Sequence, residues 1–268
     1  MEIQLWKDIL APYELAVNEI TVKFEHIIKE YRGKGMYSPI EQVVGRVKSV
    51  SSILDKAQKK NFSIDEITEK IEDIAGIRII CQFYEDIFKV VDMIKSRSDM
   101  KVKVCKDYIN NPKESGYRSY HMIVYYDVYT IKGKERINVE FQIRTLAMNF
   151  WATIEHSLQY KYRGNIPDHI KKSLSASAES IIALDNEMGT IHAEIVDAQN
   201  SFNVKANTVS DILNTIQNLY KLANKKEVNK IQDEFYKIYQ EGDLAQLDRF
   251  SKQLDIVAEG YRAQGVAE

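Results

Sequence analysis

The chain has 268 residues; 44% of them are hydrophobic and 28% are charged, and the formal net charge is −2 at pH 7. This composition is typical of a folded globular protein and excludes disordered, fibrous and membrane-embedded classes. The near-neutral charge argues against a protein that binds nucleic acid over its whole surface, so we expect a small anionic ligand. The two cysteines form no metal-type or redox-type pair, the N-terminus has no signal-peptide pattern, and no apolar run could span a bilayer. We therefore expect a cytoplasmic protein.

Two helices are predicted at the start of the chain. Apolar residues recur at alternating steps of three and four from Leu10 to Tyr31, which predicts a long first helix with one apolar face. Glycines and a proline between 33 and 39 predict a turn, and a second helix is expected to run to about Lys60. Opposite its apolar stripe lies a polar face that consists of Lys48, Ser52, Lys56 and Lys59. A short helix over 64–71 is expected to follow.

Strands and helices alternate in the centre of the chain. A β-branched alternation predicts a strand over 76–83, with Arg78 on the face opposite Ile77 and with Asp73 just before the strand. A helix over 86–97 and then a polar loop over 103–121 are expected next. Strands over 120–129 and 136–145, separated by a turn at Gly133, predict a hairpin. The second of these strands has a polar face that consists of Asn138, Glu140, Gln142 and Arg144.

The remainder of the chain is predicted to be helical. A helix over 146–163 ends near Gly164, and an apolar stripe from Ile181 to Ile195 predicts another. Further helices are expected over 209–222, 228–239 and 244–257. We divide the chain into an N-terminal helix (1–38), a central domain (39–165), a C-terminal helix (166–200) and an additional helical tail (201–268).

Asp73 and Glu140 are candidate ligands of a magnesium ion. Mg²⁺ is usually held by one or two protein carboxylates and completes its shell with water and substrate phosphates, so two acids on a polar sheet face are enough. Taken singly, Asp73 would cap a turn and Glu140 would be an exposed strand residue. Their occurrence beside Arg78 and Gln142 favours the metal site.

Basic residues in the same region are candidate ligands of a polyphosphate. The chain has no Walker A motif and no kinase glycine-rich loop, so phosphate binding would depend on cationic side chains. The available cations are Lys48, Lys56, Lys59, Lys103, Lys106, Lys113 and Arg118. The guanidinium planes of Arg46 and Arg78 can stack on a purine. A solvated lysine surface is the alternative interpretation.

The segment from Gly116 to His121 combines an aromatic ring, a cation, a hydroxyl and an imidazole. A tyrosine next to a glycine, as Tyr117 is here, can stack on a base because the backbone permits close approach. A lone tyrosine or histidine is more often structural, but this segment is too polar and too basic for a core. It therefore favours a nucleotide-binding role.

Four motifs in order resemble the synthetase motifs of the RelA/SpoT family. They are Asp73-Ile-Ala-Gly-Ile-Arg78, Lys106-Asp-Tyr-Ile109, Lys113-Glu-Ser-Gly-Tyr-Arg-Ser-Tyr-His121, and Glu140-Phe-Gln-Ile-Arg-Thr145 with its continuation to Glu155-His156. Together they are far more specific than any one motif, and the resemblance covers residues 46–162. The flanking helices are similar to those of the small, single-domain alarmone synthetases. No His-Asp dipeptide, the mark of the hydrolase domain of the long relatives, occurs in the chain.

The resemblance implies a fold, a reaction and a cofactor. The fold is an α/β (α+β) protein with a nucleotidyltransferase-like mixed β-sheet flanked by helices, a long N-terminal helix and a helical C-terminal extension. The reaction is the transfer of the β,γ-pyrophosphate of ATP to the 3′-hydroxyl of GDP or GTP, with release of AMP. The cofactor is Mg²⁺. Such an enzyme supports the stringent response as a GTP diphosphokinase.

The resemblance also implies a role for each candidate residue. Asp73 and Glu140 would hold the metal, and Glu140 would accept the proton of the 3′-hydroxyl. The ATP site would consist of Arg46 and Arg78 around adenine, with Lys48, Ser52, Lys56, Lys59 and Lys106 on the phosphates. The GDP or GTP site would consist of Tyr117 against guanine, Asn149 at the edge of the base, and Lys113, His121 and Gln142 around phosphate and ribose.

Two other functions remain open at the level of sequence. A catalytically inactive nucleotide-binding regulator could keep the same site, although the presence of both Asp73 and Glu140 argues against it. A single-stranded RNA binder built on Tyr117 would bind in a salt-dependent way, but the acidic balance makes nucleic acid an unlikely partner. The apolar faces of the first and last helices predict a homo-oligomer, a homotetramer by analogy with the small synthetases. No membrane partner is expected.

Overall fold

The computed structural model describes residues 2–63, 66–161, 166–241 and 244–265. The elements are α1 (Glu2–Gly33), β1 (Gln42–Val47), α2 (Val50–Lys59), α3 (Ile67–Lys70), β2 (Ala75–Cys81), α4 (Tyr84–Lys95), β3 (Met100–Asp107), β4 (Tyr120–Thr130), β5 (Gly133–Thr145), α5 (Leu146–Lys161), α6 (Asp168–Leu222), α7 (Lys225–Glu241) and α8 (Leu244–Gly265). The chain forms two compact units, Met1–Thr190 and Ile191–Glu268. Helix α6 belongs to both of them.

The first unit is built on a five-stranded sheet with the order β1-β2-β5-β4-β3. β2 and β5 are parallel, and every other neighbouring pair is antiparallel. The predicted mixed sheet flanked by helices is therefore confirmed. The β4–β5 hairpin is confirmed as well, with Thr130 paired to Gly133 across its turn.

One face of the sheet holds the hydrophobic core of this unit. Helix α1 packs against it through the apolar face predicted from the sequence, and the Phe24 ring lies 5.6 Å from that of Phe141 on β5. Gly45 on β1 allows α1 to approach closely, since a Cβ at this position would lie 2.4 Å from Val17 Cγ1 and 2.6 Å from Thr21 Oγ1. α1 is thus an integral layer of the fold.

The opposite face of the sheet carries the polar residues. Arg46 pairs with Gly76, Gly76 pairs with Glu140, and Arg78 pairs with Gln142, so side chains from three strands share this face. His121 on β4 is opposite Gln142 and extends the polar face by a fourth strand. The alternation of β5 predicted from the sequence is confirmed, and the face that it exposes is the floor of the candidate site.

The predicted second helix is wrong over its first third. Residues 42–47 form strand β1 and only 50–59 are helical, with Ser49 capping the helix by accepting a bond from the backbone N–H of Ser52. Val43 and Val47 fit helical spacing, but they also fit the alternation of a strand. Pairing with β2 decides between the two, and sequence periodicity over six residues cannot. Lys48 consequently lies between β1 and α2.

The predicted polar loop over 103–121 is wrong at both ends. Residues 100–107 form strand β3, so Lys103 and Lys106 are strand residues at the edge of the sheet, and Tyr120 already belongs to β4. The alternation of Val102 and Val104 with lysines is short, and the polar residues that follow it favoured a loop. A register shift between these two valines weakens the pattern further.

α4, α5, α7 and α8 begin close to their predicted positions, whereas the separate helices predicted within 166–200 and over 209–222 are wrong, because α6 runs without a break from Asp168 to Leu222. α4 begins two residues before its expected start, and α5 begins at its expected start. The expected end of α5 lies within 162–165, which are outside the described residues. Of the short helix predicted over 64–71, residues 67–70 are helical as α3, and 64–65 are likewise not described. The second unit has its own core, which includes Ile212, Phe235 and Leu254. Among the described residues, no helix is long and apolar enough to cross a membrane.

Candidate active site

Asp73 lies two residues before the start of β2 and pairs with two lysines. Its Oδ2 atom is 2.7 Å from Lys48 Nζ, and its Oδ1 atom is 2.8 Å from Lys56 Nζ. Burial opposes ionisation of this carboxyl, but the bonds to the two ammonium groups outweigh burial and lower its pKa. Asp73 is therefore ionised at neutral pH and holds both lysines at the end of the sheet.

Glu140 is the centre of a chain of hydrogen bonds on the polar face. Gln142 Nε2 donates to Glu140 Oε2 at 2.8 Å, and Arg144 Nη2 donates to Gln142 Oε1 at 2.7 Å. On the other side, His121 Nδ1 lies 3.1 Å from Glu140 Oε1 and His121 Nε2 lies 2.9 Å from the Tyr117 hydroxyl. Since a carboxylate only accepts, His121 donates to Glu140 from its Nδ1 atom.

The same contacts determine the charge state of Glu140. Burial favours the neutral carboxylic acid, but the hydrogen bond to His121, the electrostatic interaction with this residue and the hydrogen bond from Gln142 outweigh burial, and the net effect lowers the pKa of Glu140. Glu140 is ionised at neutral pH, so it can accept a proton or ligate a cation. Its orientation is set from both sides before any ligand binds.

The aromatic residues beside this chain form a compact cluster. The ring of Tyr108 lies 6.3 Å from that of Tyr117 and 5.2 Å from that of His121, each in an edge-on arrangement. Lys113 Nζ is 4.8 Å from the centroid of Tyr117 and 4.9 Å from that of Tyr108. A cation near an aromatic ring gains a favourable interaction with its π face. Lys113 thus lies beside the predicted base-stacking residue.

A cavity of about 260 Å³ opens beside this cluster. Its lining includes the predicted residues Arg46, Arg78, Tyr117 and Gln142, together with Arg144, Ala152, Thr153, Glu155 and His156. The Nε atoms of Arg78 and Arg144 are buried and make no hydrogen bond within the described part of the chain. Burial lowers the pKa of Arg144 to about 10, so its guanidinium remains charged at neutral pH. The cavity therefore presents three cations to a ligand.

Sequence reasoning did not select Arg144, Glu155 or His156 as site residues. A signal for Arg144 was available, because it continues the polar alternation of Glu140 and Gln142 on β5. Glu155 and His156 lie on α5, and their place beside the cavity depends on how α5 packs on the sheet, which local sequence does not specify.

Four predicted residues lie further from these contacts. Ser52 and Lys59 are exposed on α2, and Lys106 is exposed on β3 in register with His121. Asn149 is on the first turn of α5, where its Oδ1 atom is buried and has no hydrogen-bond partner among the described residues. An unsatisfied buried amide oxygen costs free energy, and a ligand that donates to it would remove this cost.

The carboxylates of Asp73 and Glu140 fit a magnesium ion by their chemistry. The described residues contain no group of three or more side chains of the usual metal-ligating types. Glu140 is in register with Gly76, three residues after Asp73, and the negative charge of Asp73 acts on Glu140. Mg²⁺ needs only one or two protein carboxylates when a polyphosphate supplies further oxygens, so two ionised acids are a suitable donor set.

Comparison with known proteins shows the family of this chain. Residues 45–165 match the family model described as a region found in RelA/SpoT proteins. The chain is 50% identical over 205 residues to the GTP pyrophosphokinase YjbM of Bacillus subtilis, an alignment that covers 76% of this chain and 97% of YjbM. The chain belongs to the RelA/SpoT family. The resemblance noted in the sequence is thereby confirmed.

Solved structures of RelA/SpoT proteins agree with this assignment. The small alarmone synthetase 1 of Bacillus subtilis bound to its product pppGpp superposes with a TM-score of 0.70 at 50% identity, over 72% of this chain and 98% of that one. The same synthetase bound to AMPCPP gives a TM-score of 0.64 at 46% identity, with the same coverage of both chains. This chain therefore contains a region that matches nearly the whole fold of each of these two structures.

Proposed function

We propose that this chain is a (p)ppGpp synthetase, which transfers the β,γ-pyrophosphate of ATP to the 3′-hydroxyl of GDP or GTP and releases AMP. The observation that carries the proposal is the chain of hydrogen bonds around Glu140, located on a cation-rich face that is shared with the ion-paired Asp73. This arrangement occurs in a chain 50% identical to a GTP pyrophosphokinase. As a RelA/SpoT enzyme of this type, it would supply the alarmone of the stringent response.

On the donor side, Lys48 and Lys56 are proposed to bind the ATP phosphates. Both lysines now neutralise Asp73, and a triphosphate offers them several charged oxygens in exchange. Ser52, Lys59 and Lys106 would add contacts from the exposed side. Arg46 and Arg78, on adjacent antiparallel strands, are proposed to hold the adenine between their guanidinium planes.

On the acceptor side, Tyr117 is proposed to stack on guanine and Asn149 to bond its edge. The Oδ1 atom of Asn149 is buried and has no hydrogen-bond partner among the described residues, which supports this role because the edge of guanine carries N–H donors. Lys113, His121 and Gln142 would hold the ribose and the phosphates. The base would then lie in the cavity next to Tyr117.

In the proposed reaction, Glu140 takes the proton of the 3′-hydroxyl. The 3′-oxygen forms a bond to the β-phosphorus of ATP while the bond from that phosphorus to the α,β-bridging oxygen breaks, and AMP leaves with the electron pair. His121 and Gln142 keep the Glu140 carboxylate in one orientation during this step. Little covalent assistance is needed, so positioning and charge neutralisation supply most of the catalysis.

Mg²⁺ is the proposed cofactor, held by Asp73 and Glu140. When bound, it supplies positive charge that neutralises the phosphate oxygens. With Asp73 as a metal ligand, Lys48 and Lys56 would be available to neutralise the phosphates beside it.

We further propose that the protein works in the cytoplasm as a homo-oligomer, a tetramer. The apolar face of α1 does not support this, because Ile20 and Phe24 are fully buried within the same chain. The support comes from exposed apolar side chains on α6, where Leu184 and Met188 are 46% and 42% exposed. Light scattering at micromolar concentration would measure a single-chain mass if this proposal were wrong.

The test is an assay of the purified protein with ATP, GDP or GTP, and Mg²⁺, with nucleotides resolved by anion-exchange chromatography. We expect AMP to appear in step with a guanosine nucleotide that has gained two phosphates. Glu140→Gln should lower the rate by at least about 100-fold, whereas Glu135→Gln at the far end of the same strand should leave it unchanged. Nucleotide binding without product would instead favour the inactive regulator.

A further inference from the structure

The N-terminal part of α6 packs behind the candidate acceptor site. Ala178 on this helix is buried in a cluster with Trp151 and Ala152 of α5, and the Tyr117 ring packs against the same cluster. Trp151 Nε1 donates to the backbone oxygen of Leu174 at 3.0 Å, which ties α5 to α6. The residue proposed to stack on guanine therefore rests on a surface to which α6 contributes.

Gly116, next to Tyr117, sets the spacing between the loop and α6. Its φ of +87° is in the left-handed region, and a Cβ at this position would lie 2.6 Å from Ala178 Cβ and 3.5 Å from Ser175 Cα. The cavity that remains here measures only about 10 Å³ and is lined in part by Gly116, Trp151 and Ala178. At most one water could fit in such a space. A larger side chain at 178 must therefore displace the loop.

Polar contacts also join α6 to the end of β5 and to the loop that carries Tyr117. Thr145 Oγ1 at the end of β5 donates to Asp185 Oδ2 at 2.7 Å and accepts from the backbone N–H of Met148 at 3.1 Å. Arg118 Nη2 in the loop lies 3.4 Å from Glu179 Oε1. α6 is thus attached to the loop, to the catalytic strand and to the start of α5, so it cannot adjust freely to a change at 178.

We propose that α6 positions the acceptor subsite and that Ala178 is the positioning residue for Tyr117. This inference rests on the proposed function, because it assigns Tyr117 to guanine. A small side chain at 178 lets Gly116 lie against the helix and places the tyrosine ring at the wall of the cavity. Displacement of the ring would weaken binding of the guanosine nucleotide, while ATP, held by residues that do not contact α6, such as Arg46, Lys48 and Lys56, would bind as before.

The full-length Ala178→Val variant tests the proposal. Steady-state kinetics with GDP and ATP each varied in turn should give a KM for GDP about tenfold higher and a KM for ATP within about twofold of the wild-type value. Ala176→Val is the matched control, because Ala176 is exposed on the same helix two residues away. It should leave both KM values unchanged.

Two further substitutions make the test graded. Ala178→Ser adds one atom and should give a smaller rise in the KM for GDP. It replaces Ala178→Val in the test if thermal melts show that the valine variant is not folded. Ala178→Gly removes one atom and should leave the KM for GDP near the wild-type value. An equal rise in both KM values, or wild-type kinetics in Ala178→Val, would overturn the positioning role. A wild-type protein that forms no product would refute the proposed function instead, whatever Ala178 does.

Discussion

The proposed donor and acceptor halves of the candidate site are built differently. On the acceptor side, successive hydrogen bonds join Tyr117, His121, Glu140 and Gln142, and Arg144 joins this side through its bond to Gln142. The last four lie on two paired strands. On the donor side, two lysines with flexible side chains pair with a single carboxylate where β1 ends and α2 begins. The first half is fixed by hydrogen-bond geometry and the second by charge.

This difference separates what each half should tolerate. A planar guanidinium in a bonded chain has a role that another cation cannot fill, because the direction of its N–H groups matters. An ammonium group that neutralises a carboxylate or a phosphate acts as a point charge, and its exact direction matters less. Substitutions that keep charge but change geometry should therefore harm Arg144 more than the two lysines that pair with Asp73.

The largest effect is expected for Asp73→Asn. The variant loses the charge that orders Lys48 and Lys56 and one of the two proposed metal ligands, so kcat should fall by about 100-fold or more. Initial rates at saturating ATP and GDP over a range of Mg²⁺ concentrations measure the change. Asp55→Asn on α2, where the side chain is exposed, is the control and should behave as the wild type. Near-normal kcat in Asp73→Asn would mean that charge does not organise the donor half.

Arg144→Lys should have the next largest effect, although it preserves the charge. A lysine cannot reproduce the bond to Gln142 and the orientation of the planar group together, so kcat/KM for GDP should fall by about tenfold. Lys56→Arg, the opposite exchange on the donor side, should change kcat/KM for ATP by no more than about twofold. Equal losses in the two variants would contradict the distinction between the halves.

Within the donor half, ion pairing should distinguish two lysines on the same helix. Lys56 contacts Asp73, whereas Lys59 is exposed and forms no ion pair with a described residue. We expect Lys56→Met to raise the KM for ATP by about fivefold and Lys59→Met by about twofold. Initial rates with ATP varied at saturating GDP would check both values. A larger effect at Lys59 would show that the phosphates approach from the exposed side.

The smallest effect is a change in the pH dependence of stability. Folding lowers the pKa of Asp73, so its ion pairs stabilise the fold above the ordinary carboxyl value near 3.8, and this contribution is lost as the pH falls through the lowered folded value. The difference in Tm between the wild type and Asp73→Asn should therefore be larger at pH 7 than at pH 3. Thermal melts from pH 3 to pH 7 measure this difference. A Tm difference that is the same at every pH would contradict a lowered pKa for Asp73 in the folded protein.

The sequence predicts strand β5 better than the site around it. The alternation of β5 is long enough to reveal both faces, so Glu140 and Gln142 could be assigned from local pattern. β1 was mistaken for a helix because six residues fit either period, and only pairing with β2 makes it a strand. The place of Glu155 beside the cavity and the contact of Ala178 with Gly116 depend on long-range packing, which no local pattern encodes.

Strand β3 has a consequence for solubility during expression and storage. It is the outermost strand on its side of the sheet, and an uncovered strand offers unpaired backbone groups to other chains. Lys101, Lys103 and Lys106 and the irregular register at Val102 oppose such pairing, because charge and a bulge both disfavour strand addition. A double variant, Lys101→Val with Lys106→Val, should therefore aggregate more readily than the wild type. Lys106, which is proposed to bind ATP, would then also help to keep the protein in solution.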